Sequence, residues 1–468
     1  MFEKKTYTER RRKLAERLQG GLILLMGNTL SPMNYADNTF PFRQDSSFLY
    51  FFGLDAPGLA AVIDTDNGEE MIFGNDAGID DMIWMGPQVS LQERAWQTGV
   101  HQTFPFTRLG DVIKGAIMQG RKIHFLPPYR AENKLILQEV LGIRADRLSY
   151  DASCALIREV VALRSVKEPC EVEEMKKAWA IGSHMHKTAF KMARPGVWEQ
   201  TIAGAIDSIP VTMGGMPAYP TVLTQHGEIL HNQSHIHYLK EGRLLLIDAG
   251  AENNMHYASD FTRTLPVGGK FTLRQREIYE IVLAANNDAR ERIRPGVTFR
   301  SVHLAVARLI TSKLMELGLM KGDVDEAVAN GAHALLFPHG VGHMIGLDVH
   351  DMEDLGQIHV GFDDEVKPSN QFGTASLRLG RELRPGFTIT NEPGIYFIPA
   401  LIDKWKKEKI NTAFISFKKL DNYRDFGGIR LEDNLLVSET GCELLGDRLP
   451  ITVEEVEGAM NFTKKQNE

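Results

Sequence analysis

Cysteine is scarce in this chain. Only Cys154, Cys170 and Cys442 occur in 468 residues, an odd number without metal-type spacing, which argues against a disulfide framework and suits a reducing compartment. Long apolar runs are missing too: "GLILLMG" and "LLLIDAGA" fall far short of the roughly 20 residues that a bilayer-spanning helix needs. The first eighteen residues, "MFEKKTYTERRRKLAERL", carry charge where a secretory signal would hold an apolar core. A cytoplasmic location and no membrane partner are therefore expected. Nor is there a surplus of basic charge. A formal net charge of -8 argues against a general nucleic-acid binder, whose footprint is basic. No internal repeat or low-complexity tract is visible, and the tail "NFTKKQNE" is expected to fray.

What is present describes a globular protein of more than one domain. The composition is 43% hydrophobic and 24% charged, and the length exceeds what one ordinary core organises. Up to about residue 155, helical stretches such as "TERRRKLAERL" alternate with "LILLMG", "AAVID", "EMIFG" and "KIHFL", short apolar runs that suit buried strands. This predicts a small α/β domain over 1–160. Pro169 interrupts two helical patterns, which places the boundary between about 155 and 172. A second domain of mixed α+β character is expected over 161–468, with long amphipathic helices over 175–193, 272–293 and 299–318. The basic runs "ERRRKLAER" and "DKWKKEK" read as solvated helix faces.

The stretch "PHGVGHMIGLDVHD", residues 338 to 351, holds three of the chain's fifteen histidines. His339 and His343 have the spacing of a two-histidine zinc helix, but the glutamate that such a motif needs is absent. Each interior glycine costs a helix about 1 kcal/mol relative to alanine, so extended or looped backbone is expected. Side chains of an extended segment alternate between faces, so His343 and His350 need not act together. Clusters of this kind, with Asp348 and Asp351 nearby, commonly bind metal or catalyse.

Carboxylates in the second region supply candidate partners. Residues 242 to 267, "GRLLLIDAGAENNMHYASDFTRTLPV", read as a hairpin: an apolar strand ending in Asp248, a polar turn around Glu252 to Asn254, and a return strand carrying Asp260. Glu392 in "TITNEPGIYF" and Glu432 in "GGIRLEDNLLV" also interrupt strand-like patterns, where an unpartnered charge is costly to bury. Were these four acids to converge with His343, each pair of anions at 4 Å would repel by about 4 kcal/mol at an effective dielectric near 20. Cations or protonation would have to relieve that. Oxygen-rich ligation with one imidazole suits Mn, Co, Fe or Zn, with two ions sharing bridging carboxylates.

These stretches carry a resemblance. "LLLIDAGAE", "ASDFTRT", "PHGVGHMIGLDVHD", "LRPGFTITNEPGIYF" and "FGGIRLEDNLLV", with "FPFRQDSSFLYFFGL" and "IWMGP" in the first half, resemble the aminopeptidase P and prolidase branch of the pita-bread metallopeptidases. Nearly the whole chain is covered. The resemblance implies an α/β N-terminal domain followed by an α+β pita-bread catalytic domain. It implies that Asp248, Asp260, His343, Glu392 and Glu432 hold two divalent ions, usually manganese, with Asp260 and Glu432 bridging. It also implies that His231, His339 and His350 line the substrate site, that Arg430 supports the metal-binding strand, and that Tyr219 lies nearby. The implied reaction is metal-assisted hydrolysis of the bond before proline, aided by water's pKa falling from about 15.7 toward about 7 beside the metal. Glu392 would move the proton and His350 would help hold the oxyanion.

Two features depart from the family pattern. The two aspartates stand one residue further apart than usual, and one residue inverts strand facing unless a loop or bulge absorbs it. Asn232 follows His231 where tyrosine is common. Substrate length is left open by the sequence: "SLRLGRELRPG" resembles the prolidase branch, in which an arginine at the position of Arg378 grips a dipeptide carboxylate. The alternatives are thus an Xaa-Pro aminopeptidase and an Xaa-Pro dipeptidase. A non-catalytic peptide- or protein-binding member of the fold would be marked by lost ligands, and a creatinase-like amide hydrolase is likewise disfavoured by the full set of five. A homodimer or larger assembly is implied.

Overall fold

The structure, a computed structural model, describes residues 1–18 and 20–460, so the tail expected to fray lies outside the described residues. The chain divides into two compact units, one of Met1–Arg164 with Met352–His359, the other of Ser165–Asp351 with Val360–Glu468.

In the first unit the four apolar runs all become strands of one five-stranded sheet. After helix α1 (Lys4–Arg17) come β1 (Leu22–Met26), helix α2 (Ser46–Phe52), β2 (Ala60–Asp64), β3 (Glu70–Phe73), β4 (Gln102–Phe104) and β5 (Ile123–Phe125), ordered β4-β3-β2-β1-β5. β1 and β2 are buried almost throughout, as runs without polar alternation imply. The basic run in α1 corrects its expected reading. Arg10 and Arg11 are buried, at 1% and 0% exposure, not solvated. Arg10 donates to the Tyr50 carbonyl at 3.0 Å and Arg11 to those of Phe51 and Thr98 at 2.9 Å. The first two carbonyls belong to the last turn of α2, where a helix lacks its own donors and favours cations. The run in "DKWKKEK" does present a solvated face, with Ile402 and Trp405 of that helix buried.

The second unit opens with α3 (Pro169–Met192), and Pro169 occupies its first turn, where a missing N–H is harmless. Helix α4 (Glu199–Thr212) follows. Strands β6 (Val222–Thr224), β7 (Leu244–Asp248) and β8 (Thr262–Pro266) form a sheet with the hairpin partner β7 in the centre, Asp248 opposite Thr262 and Val222. Helices α5 (Leu273–Arg292) and α6 (Phe299–Glu316) begin at Thr272 and Thr298, whose hydroxyls accept the Gln275 and Ser301 amides. An antiparallel ribbon completes the frame. β9 (Thr388–Asn391) and β10 (Gly394–Tyr396) form one arm, and β11 (Gly428–Arg430) and β12 (Asp433–Val437) the other, with β13 (Cys442–Leu444) along β12. Asn391 pairs with Asp433 and Gly394 with Arg430, so both arms break at the same level, where Glu392 and Glu432 stand. Buried Asn286 of α5 holds that break together, donating to the Asn391 and Leu431 carbonyls at 3.1 and 3.0 Å.

Two buried imidazoles of this unit lack polar partners. His303 in α6 and His333 are 0% exposed, and among the described residues none of their four ring nitrogens finds a hydrogen bond. Burial pushes the His303 ring down to about 3 and the His333 ring down to about 4. Both stay neutral when folded, whereas the unfolded chain takes up their protons near pH 6.5. Their contribution is thus intact above that pH and is lost as pH falls toward 4, at up to about 2.7 kcal/mol per pH unit for the pair. Urea unfolding between pH 8 and pH 5 is expected to show this decline, and the double variant His303→Leu, His333→Leu to flatten it.

Among the described residues, no helix is long and apolar enough to cross a membrane. Cys154, Cys170 and Cys442 form no disulfide among the described residues.

Candidate metal centre

The hairpin delivers both aspartates to one cavity, although its details differ from expectation. Asp248 ends β7, but Asp260 lies two residues before β8, not on it. Glu252 is buried in a short pairing with Met216, so the reversal itself occupies Asn253 to His256. Asn253 organises that reversal: its side chain accepts the amides of Met255 and Tyr257, and His256 adopts φ 67°. The irregular segment between β7 and β8 absorbs the odd residue, and the β7–β8 register begins only at Asp248 opposite Thr262. Asn434 then fixes the Asp260 backbone, accepting its N–H at 2.9 Å and donating to its carbonyl.

The ribbon break aims Glu392 and Glu432 into the same space. Arg263, fully buried, ties the β11–β12 arm to β8 by donating to the Glu432 carbonyl at 2.6 Å and pairing with Asp433 at 2.6 Å. The histidine stretch is irregular backbone, as the glycines imply, with one bridge from Met344 to Ile389. It does not separate its histidines onto two faces. His343 and His350 meet edge to face, with ring centroids 4.4 Å apart. Gly342 lets the stretch pass close against β9, because a Cβ there would stand 2.2 Å from the Thr390 carbonyl oxygen.

A cavity of about 410 Å³ results, lined by Asp248, Asp260, His343, Glu392 and Glu432 together with Tyr219, His231, His339, His350, Arg378 and Arg430. These eleven candidate site residues therefore line one space, whereas Asp348 and Asp351 beside the histidines do not. Donor atoms of Asp260, His343 and Glu432 lie within 4.8 Å of one another. His343 Nε2 is 3.4 Å from Asp260 and 3.7 Å from Glu392.

Electrostatics make the site strained without cations. Burial, with repulsion from Asp260, Glu392 and Asp248, holds the Glu432 carboxyl well above its ordinary range. Glu392 is pushed up to about 8 by burial, which outweighs the pull of Arg430 and is reinforced by Asp260 and Asp248. Burial also raises Asp248 in spite of Arg430. Asp260 moves the other way, its burial outweighed by His343 and Tyr219. Asp248 Oδ1 and Glu432 Oε1 are buried acceptors with no donor. Oxygen atoms in that position, beside an imidazole and further carboxylates, fit divalent cations.

The surrounding polar groups are largely committed to orienting these acids. Tyr219 donates to Asp260 at 2.5 Å, Thr262 to Glu432 at 2.8 Å, and Arg430 to Asp248. Arg430 also donates to the Tyr396 hydroxyl at 2.8 Å, which in turn bonds His339 Nε2 at 2.8 Å. Since His339 Nδ1 faces the Gly340 carbonyl at 2.8 Å, the proton sits on Nδ1 and Tyr396 donates to Nε2. Asn232 is turned away from the cavity: it donates to Thr224 at 3.0 Å and accepts the Ser234 amide. Sequence reasoning missed Thr262, Tyr396 and Asn434. Thr262 and Asn434 stand two residues from a candidate ligand, a spacing that returns a strand residue to the same face, whereas nothing local marks Tyr396.

Comparison with known proteins agrees with this geometry. Residues 173–439 match the metallopeptidase family M24, and residues 7–124 match the aminopeptidase P N-terminal domain. The Xaa-Pro aminopeptidase of Escherichia coli K12 is 31% identical, covering 99% of both chains. The Xaa-Pro dipeptidase of Homo sapiens is 29% identical over 96% of this chain and 92% of its own. Among solved structures, a variant of E. coli aminopeptidase P in complex with substrate matches with TM-score 0.80 at 29% identity, covering 99% of this chain and 100% of that one. A zinc-substituted form of the E. coli enzyme in complex with product matches with TM-score 0.79, again at 29% identity and with the same coverage. With an aminopeptidase P-type domain ahead of its catalytic unit, the chain belongs to metallopeptidase family M24.

Proposed function

We propose that this enzyme is an Xaa-Pro aminopeptidase, hydrolysing the bond between an N-terminal residue and the proline that follows it. The observation that carries this reading is the meeting of three buried carboxylates, half-buried Glu392 and one imidazole in one cavity, with orphaned Asp248 and Glu432 oxygens. Asp248, Asp260, His343, Glu392 and Glu432 would hold two divalent ions, manganese foremost, with cobalt, iron and zinc as alternatives. Bound there, they supply Lewis-acid polarisation and water of lowered pKa.

The remaining steps fall to side chains. Glu392 takes up the proton of the attacking water and returns it to the departing proline nitrogen, which has no hydrogen of its own before cleavage. Its raised affinity for a proton suits that exchange. His350 and His231 stand at the reacting carbonyl, His350 donating to the oxyanion. His339, with both ring nitrogens engaged, offers its ring face to the substrate. Tyr219 and Arg430 hold Asp260 and Asp248 in place. Pro220, Val222, Leu230, Pro338 and Val349 supply the apolar wall against which a proline ring packs.

A dipeptidase reading is favoured by one observation: Arg378 lines the cavity, where a guanidinium can grip a free carboxylate. Assays of Gly-Pro and Gly-Pro-Ala separate the two. The tripeptide is expected to be cleaved with kcat/KM at least about tenfold higher, both activities to vanish with a chelator, and Arg378→Ala to weaken the dipeptide more. Cleavage of Gly-Pro alone makes the protein a dipeptidase, and activity untouched by chelation removes the metal mechanism. The absence of a disulfide among the described cysteines supports a cytoplasmic location. The exposed apolar helix Ile79–Met85, whose Ile83, Trp84 and Met85 are 69%, 85% and 74% accessible, supports a homodimer or larger assembly.

A further inference from the structure

The segment between β6 and β7 holds four more histidines, His226, His231, His235 and His237, and only His231 belongs to the cavity. The segment is a loop closed tightly at its neck. Glu199, fully buried, accepts the Gln225 amide at 2.8 Å on one side and the His237 amide at 3.2 Å on the other. Gln225 spans the same gap, donating to the Tyr238 carbonyl at 2.7 Å and accepting the Lys240 amide at 2.6 Å. Across this fixed neck the rings of His226 and His237 face each other, with centroids 5.0 Å apart and planes inclined by 58°.

Glu228 orients the first ring: its Oε1 is 3.0 Å from His226 Nδ1, while its Oε2 is buried without a donor. A carboxylate on one ring nitrogen sets the tautomer, leaving Nε2 as the lone-pair donor, an arrangement typical of metal-binding histidines. Among the described residues no group hydrogen-bonds the His237 ring, so both of its nitrogens can serve a ligand.

We propose that His226 and His237 form a second metal site, separate from the carboxylate-rich centre, that takes a borderline divalent ion such as Zn²⁺, Ni²⁺ or Co²⁺. Imidazole ligation favours these ions over manganese, which prefers oxygen. Glu228 is the outer partner, and water completes the shell. An ion here staples the neck of the loop whose tip places Leu230, His231 and Gln233 on the cavity wall.

The test uses full-length enzyme whose main centre is saturated with Mn²⁺. Equilibrium dialysis against Zn²⁺ is expected to show one more bound equivalent in wild type than in the His226→Ala, His237→Ala double variant, and Glu228→Gln is expected to weaken that equivalent by about 10- to 100-fold. A second readout is limited proteolysis within residues 227–236, which Zn²⁺ should slow in wild type and not in the double variant. Equal stoichiometry in the two proteins overturns the proposal. So does loss of the extra equivalent on His231→Ala with the neck histidines intact, because that places the ion in the cavity.

Discussion

Glu392→Gln is expected to lower kcat by about 10²- to 10⁴-fold, the usual contribution of a positioned acid or base. The amide keeps the size and one oxygen of the carboxylate but can neither accept nor return a proton. In the structure Glu392 sits 3.7 Å from His343 and 3.8 Å from His339, at a break in the ribbon that leaves its backbone little freedom. The acid limb of the kcat profile should disappear in the variant if Glu392 is the proton carrier. Metal content measured alongside separates the two roles assigned to this residue: loss of one equivalent marks a ligand, and full content with low kcat marks a proton carrier. A kcat within tenfold of wild type would remove Glu392 from both.

Lys167→Met should destabilise the second unit by about 3–5 kcal/mol, as expected when one partner of a buried ion pair is removed. Lys167 Nζ lies 2.9 Å from Asp351 Oδ2, and the two side chains are 2% and 1% accessible. The pair anchors the histidine stretch one residue beyond His350. Its packing is tight enough that a Cβ on Gly346 would stand 2.5 Å from Asp351 and 2.8 Å from Lys167. Denaturant unfolding of Lys167→Met and of the double variant Lys167→Met, Asp351→Leu measures the effect. The double variant should recover most of the loss, because a well-packed apolar pair is often equivalent to a buried ion pair. Equal destabilisation in both would assign the effect to packing around Lys167.

Much of this was legible in the sequence because candidate ligands leave local marks. An acid that directly follows "LLLI" or interrupts "TITN" and "GIYF" stands out against the pattern it breaks, and the four acids converge with His343 on one cavity. Strand recognition in the first unit worked for the same reason, since "LILLM" and "AAVID" are continuous apolar runs. β4 escaped notice because Gln102–Phe104 is short and only half-buried. Where the sequence misled, the deciding contact was distant. Arg10 and Arg11 look like surface charge until residues 50, 51 and 98 supply carbonyls. The meeting of His343 with His350 depends on a loop path that strand alternation does not describe, and the role of Asn286 depends on two arms that approach only in the fold.

The twin breaks in the ribbon also bear on the order of assembly. The two glutamates oppose each other only after the long excursion from Tyr396 to Gly428 has closed, and Glu432 comes last of the five candidate ligands. A chain emerging from the ribosome therefore exposes Asp248, Asp260 and His343 well before their partners exist. A site that needs all five side chains is therefore complete only at the final stage of folding, when the mutual repulsion of the acids first comes into play.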